Sequence, residues 1–138
     1  MKKKGSISDF TGIRNGELYR SFSTQLRNPM VENNGELYLN TVKSPCSRFW
    51  VSERRAAEVV SALRKGSNLP AMLEEKRRMY EEIYKRTEDI LVKNPELSLS
   101  RAVEQAVWSP APEFYLSPET ARKTIRHILR NLKERRGK

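Results

Sequence analysis

The chain has 138 residues and a formal charge of +10, room for one domain of ordinary size or two very small ones. With 37% hydrophobic and 32% charged residues it reads as a small soluble helical protein rather than a disordered chain. One cysteine and one histidine exclude an internal disulfide and a structural zinc site.

Lys2, Lys3 and Lys4 open the chain, but Gly5-Ser6-Ile7-Ser8-Asp9 follows where a secretory leader needs an apolar core. No apolar run approaches the roughly 20 residues that span a bilayer. A reduced, cytoplasmic protein is expected. Ahead of Pro45 the pattern predicts two helices, weakened by Gly16, Asn33-Asn34 and Gly35. Ser52 then opens a clearer helix that turns Ala56, Val59, Val60 and Leu63 to one side. After Gly66-Ser67-Asn68-Leu69-Pro70, apolar residues from Met72 through Met79, Tyr80, Ile83, Thr87, Ile90 and Leu91 recur at helical spacing up to Asn94-Pro95. Ser98 is the expected N-cap of a short helix carrying Ala102, Val103 and Ala106, stopped by Ser109-Pro110. Ser117, Pro118 and Glu119 start the last helix, whose apolar face is Ala121, Ile125, Ile128, Leu129 and Leu132.

These elements repeat. Ser44-Pro45-Cys46-Ser47-Arg48-Phe49-Trp50-Val51-Ser52 aligns with Ser109-Pro110-Ala111-Pro112-Glu113-Phe114-Tyr115-Leu116-Ser117 at an offset of 65. The same offset pairs Ala56 with Ala121 and Val60 with Ile125. Upstream it pairs Glu17-Leu18-Tyr19-Arg20 with Glu82-Ile83-Tyr84-Lys85. The expected architecture is therefore all-α, with two tandem three-helix units over 8–66 and 72–135. A basic arm (1–7), a linker (67–71) and a basic tail (136–138) complete the chain. In each unit the aromatic pair plugs a long loop before the third helix. Units of this size bury only about 60% of their unfolded surface, so the two copies should pack on each other.

The charge is unevenly placed. Residues 17–66 carry eight basic and five acidic side chains, residues 67–121 seven and ten, and residues 122–138 eight against one. Arg122, Lys123, Arg126, Arg130 and Lys133 lie away from the apolar face of the last helix, beside Thr120, Thr124 and Asn131. A basic, polar helix face supplies cations for phosphates and hydrogen-bonding groups for base edges. The bland alternative is a solvated helix face with a basic tail.

Leu97-Ser98-Leu99-Ser100-Arg101-Ala102-Val103, followed by Pro118-Glu119-Thr120-Ala121-Arg122-Lys123-Thr124-Ile125, resembles the helix-turn-helix, homeodomain-like trihelical DNA-binding units of bacterial regulators and recombinases. The resemblance covers about 45 residues. It implies that Thr120, Arg122, Lys123 and Arg126 lie on a recognition helix. Ser109 to Leu116 makes an eight-residue turn where that motif has three or four. The Ser-Pro-Ala-Pro-x-Phe-Tyr-Leu-Ser string also resembles uncharacterised proteins of bacterial mobile elements and phages. In the first copy Ala57, Glu58 and Ser61 stand where the second has Arg122, Lys123 and Arg126, so two equal readers are not expected.

Catalysis finds little support. His127 has no nucleophile at a telling spacing, and Cys46 corresponds to Ala111. Glu74-Glu75 and Glu81-Glu82 read as ion-paired surface, and no Gly-rich phosphate loop is present. Phe49-Trp50 and Phe114-Tyr115 could stack unpaired bases, but their recurrence in both copies favours a core role. Trp108, matching Lys43, is a candidate for contact between the copies or for a partner site. The expectation is a non-catalytic binder of nucleic acid, duplex DNA ahead of RNA, with no cofactor, metal, membrane or small-molecule substrate. Arg130, Lys133, Arg135 and Arg136, with Lys2, Lys3 and Lys4, would clamp flanking phosphates. The alternative is a helical adaptor for a protein partner or for self-association, in a phage or mobile-element assembly.

Overall fold

The structure, a computed structural model, describes residues 7–69 and 71–136, with side chains from Phe10 onward. Those residues form six α-helices and no strand: α1 (Ile7–Leu26), α2 (Asn34–Lys43), α3 (Glu53–Arg64), α4 (Glu74–Lys93), α5 (Leu99–Val107) and α6 (Pro118–Arg136). No helix among them is long and apolar enough to cross a membrane.

The helix starts follow local chemistry. Ser52, Ser98 and Ser117 each accept the backbone N–H three residues on, from Arg55, Arg101 and Thr120, at 3.1, 3.2 and 3.1 Å. Asn33, which weakens the sequence pattern as a helix interior, is instead the N-cap of α2 and accepts the Glu36 N–H at 2.9 Å. At the other end of α3, Gly66 takes φ 87°, the left-handed conformation that lets a helix stop there.

The helices do not pack in chain order. α1 and α2 pack with α6, while α4 and α5 pack with α3. A trihelical unit in which each third helix folds back on its own two predecessors is not what forms. The connections explain the difference. Ser44, ahead of Pro45, is extended (φ −75°, ψ 147°), as a residue before proline prefers, so the chain leaves α2 without turning back. The 44–52 and 109–117 segments then cross. Cys46 and Ala111 exchange backbone hydrogen bonds of 3.0 and 2.9 Å in an antiparallel bridge. Outside it, Phe49 N–H donates to the Val107 carbonyl at 2.9 Å and Phe114 N–H to the Val42 carbonyl at 2.8 Å.

This crossing is the centre of the core. Phe49, Phe114, Val42 and Val107 are buried, and the Phe49 and Tyr115 rings stack 5.8 Å apart. The aromatic pairs are core, and none of Phe49, Trp50, Phe114 and Tyr115 is exposed for stacking a base. Around them lie Leu18 of α1, Ile83 of α4, Ala56 and Val60 of α3, and Ala121 and Ile125 of α6. Leu129, read as part of the apolar face of α6, stays 41% exposed, because that face is covered mainly along its first two turns.

Candidate nucleic-acid interface

α6 is held by its first half. Ala121 and Ile125 are buried against α1 and α2, and Ile128 and Leu132 are half-buried behind them. At 100° per residue, Arg122, Lys123, Arg126, Arg130 and Lys133 fall within an arc of about 100° on the far side. Lys123, Arg126, Arg130 and Lys133 are exposed, as are Arg135 and Arg136 in the last turn. The helix holds seven basic and two acidic residues.

What marks these cations is that six partnerless ones share a single helix. Elsewhere many basic side chains are neutralised close by: Lys43 and Arg78 by Glu113, Arg54 and Arg55 by Glu58, Arg64 by Glu88, Arg77 by Glu74, Arg86 by Glu82 and Arg101 by Glu104. No ion pair among the described residues includes Lys123, Arg126, Arg130, Lys133, Arg135 or Arg136. The surface potential of such a stripe is set by the stripe itself.

The two other residues expected on the recognition helix are engaged locally. Arg122, half-buried at the edge of the stripe, donates from Nε to Glu119 Oε1 at 2.9 Å, and its Nη2 reaches both oxygens of the same carboxylate. This guanidinium holds the Glu119 carboxyl below its ordinary value. Thr120 sits in the cap, its hydroxyl accepting a hydrogen bond from Ser117 Oγ at 2.9 Å. His127 lies outside the stripe, its Nε2 3.3 Å from the Asn131 amide nitrogen. Lys2, Lys3 and Lys4, and Lys138 of the tail, lie outside the described residues.

Residues from α2 also border α6, which the sequence pattern did not suggest. Asn34, Gly35 and Tyr38 face Pro118, Glu119 and Arg122 across a mostly apolar notch of about 210 Å³. They are some 80 positions away in the chain, and only the crossed packing brings them here. Between α3 and α5 lies a groove of about 570 Å³ whose charged lining is Glu53, Arg54, Glu58 and Glu104.

Trp108 is 54% exposed, yet its ring is in use: the Arg48 guanidinium lies 4.1 Å from its centroid, and its Nε1 donates to Glu53 at 2.9 Å. Cys46 is buried, which pushes its thiol up to about 11. No cluster of three or more His, Cys, Asp or Glu side chains suited to a metal occurs among the described residues. No family model, curated protein or solved structure matches the chain.

Proposed function

We propose that the chain is a non-catalytic, cytoplasmic nucleic-acid-binding protein that engages duplex DNA through the outer face of α6. It is built from two copies of one three-helix unit that have traded third helices. The duplication rests on the 65-residue offset that relates Val42 to Val107, Cys46 to Ala111 and Phe49 to Phe114 in reciprocal backbone contacts. The binding reading rests on one observation, the clustering of six unpaired cations on α6, where the body spreads its unpaired cations singly and balances the others with nearby carboxylates. A 19-residue helix is about 28 Å long and fits the major groove, which is about 12 Å wide. Lys123, Arg126, Arg130 and Lys133 are the contacts nearest that groove. Arg135 and Arg136, with the terminal lysines, clamp phosphates beyond it.

The test is a titration into duplex DNA, single-stranded DNA and RNA at several salt concentrations. Six phosphate contacts give a slope of log K on log salt of about −5, and each cation removed lowers its magnitude by about 0.9. Replacing Lys123, Arg126 and Arg130 with alanine is expected to cut the slope by about half. Replacing Arg54 and Arg55, already paired with Glu58, leaves it nearly unchanged. No duplex binding at low salt sinks the reading and leaves the adaptor, for which exposed Trp108 is the first surface to test.

A further inference from the structure

The crossed packing sets α3 in one half of the molecule where α6 stands in the other. Carried through the 65-residue offset, Arg122, Lys123 and Arg126 of α6 correspond to Ala57, Glu58 and Ser61 of α3. Glu58 is held by Arg54 at 3.6 Å and by Arg55 at 3.5 Å, so the two cations nearest it are already paired. Glu53 and Glu104 line the adjoining groove, where α6 has Pro118 and α2 has Leu39. A phosphate approaching α3 therefore meets Glu58 where α6 presents Lys123, and neutral Ala57 and Ser61 where it has Arg122 and Arg126. Length separates the helices as well. α3 has 12 residues against 19 in α6 and stops before the turns that carry Lys133, Arg135 and Arg136.

We infer that the chain is a one-sided reader: a single molecule engages one groove segment through α6, and the α3 face is an electrostatically silenced equivalent. The target is then asymmetric. It lacks the two half-sites, about one helical turn apart, that two equal recognition helices require. The inference rests on the duplex-binding reading above and adds the geometry and stoichiometry of the complex.

The experiment compares duplexes of about 10 and about 20 base pairs, one and two helical turns. It uses the full chain and a variant carrying Ala57→Arg, Glu58→Lys and Ser61→Arg. For the unaltered protein, affinity per binding register and salt slope are expected to agree on the two lengths. For the variant, the longer duplex is expected to bind more tightly, with a slope at least about 3 larger in magnitude, one increment per added cation and more where Arg54 and Arg55, released from Glu58, also reach phosphates. Glu58→Lys alone changes one exposed residue and guards against a folding failure of the triple variant. On the longer duplex its slope should grow by about 1 to 3, one increment for the new cation and up to two more for Arg54 and Arg55, which lose their carboxylate. An unaltered protein whose slope already grows with duplex length overturns the inference, as does a folded variant that gains nothing. A protein that binds no duplex fails the proposed function instead, and the inference with it.

Discussion

Arg48 shows how the molecule spends a cation. It is 5% exposed, and its guanidinium lies against the rings of Phe10, Trp50 and Trp108 at 5.1, 5.7 and 4.1 Å. It donates from Nε to the Phe49 carbonyl at 2.9 Å and from Nη2 to the Val51 carbonyl at 2.7 Å. This charge holds the crossing together and is lost to any outside partner. Sixty-five residues further along the chain, Glu113 binds Arg78 and Lys43. Next to Arg48, Cys46 offers a pH test. Burial, the largest cause, raises its thiol from 9.0 to about 11, partly offset by Trp50 Nε1 donating to the sulfur at 3.2 Å. The folded state thus holds this proton more tightly than the unfolded chain. The stabilisation is complete below pH 9 and disappears as pH rises through about 11. Urea midpoints measured across that window should fall more steeply for the unaltered protein than for Cys46→Ser. Equal slopes would show that the thiol is not desolvated. Ellman's reagent should react with Cys46 near pH 8 only as fast as the protein opens.

At the scale of the element, α6 depends on its first turn. Ser117 caps the backbone and steers Thr120, Glu119 lies near the positive end of the dipole, and α1 and α2 cover only the first half of the helix. Ser117→Ala is expected to cost about 1 kcal/mol in chemical denaturation. It should also weaken duplex binding, because the stripe is presented by that same helix. Ser98→Ala, at the start of α5, should cost about as much stability and leave binding intact. A loss of binding in both variants would separate the stripe from the interface. Gly66→Ala puts a Cβ on a residue at φ 87° with open space around it, so its cost of about 1 kcal/mol is conformational alone. No contact is lost there.

At the scale of the molecule, the crossing decides the cooperativity. The group of α1, α2 and α6 draws on both halves of the chain, as does the group of α3, α4 and α5. Neither half can complete a three-helix core alone. Unfolding is therefore expected as one transition by circular dichroism and by tryptophan fluorescence. A protease site inserted between Ser67 and Asn68 provides a sharper check. After cleavage the two fragments should elute together from a sizing column and part only in denaturant. Fragments that separate under native conditions would show that each half packs on itself.

Much of this was legible in the sequence, because local chemistry is written locally. Ser52, Ser98 and Ser117 announce helix starts, apolar residues at helical spacing mark the buried faces, and the charge surplus on 122–138 names the exposed stripe. The offset of 65 aligned the segments around Cys46 and Ala111, which the structure brings into contact. It was silent on which third helix would pack with which pair, since both arrangements bury the same residues and obey the same periodicity. That choice fell to the tertiary structure. The stretch around Pro45 leaves α2 extended, and the Cys46–Ala111 bridge carries each third helix across to the other half. The same crossing brought Tyr38 beside Arg122 and tied up Trp108 with Arg48 and Glu53, contacts that no spacing along the chain encodes.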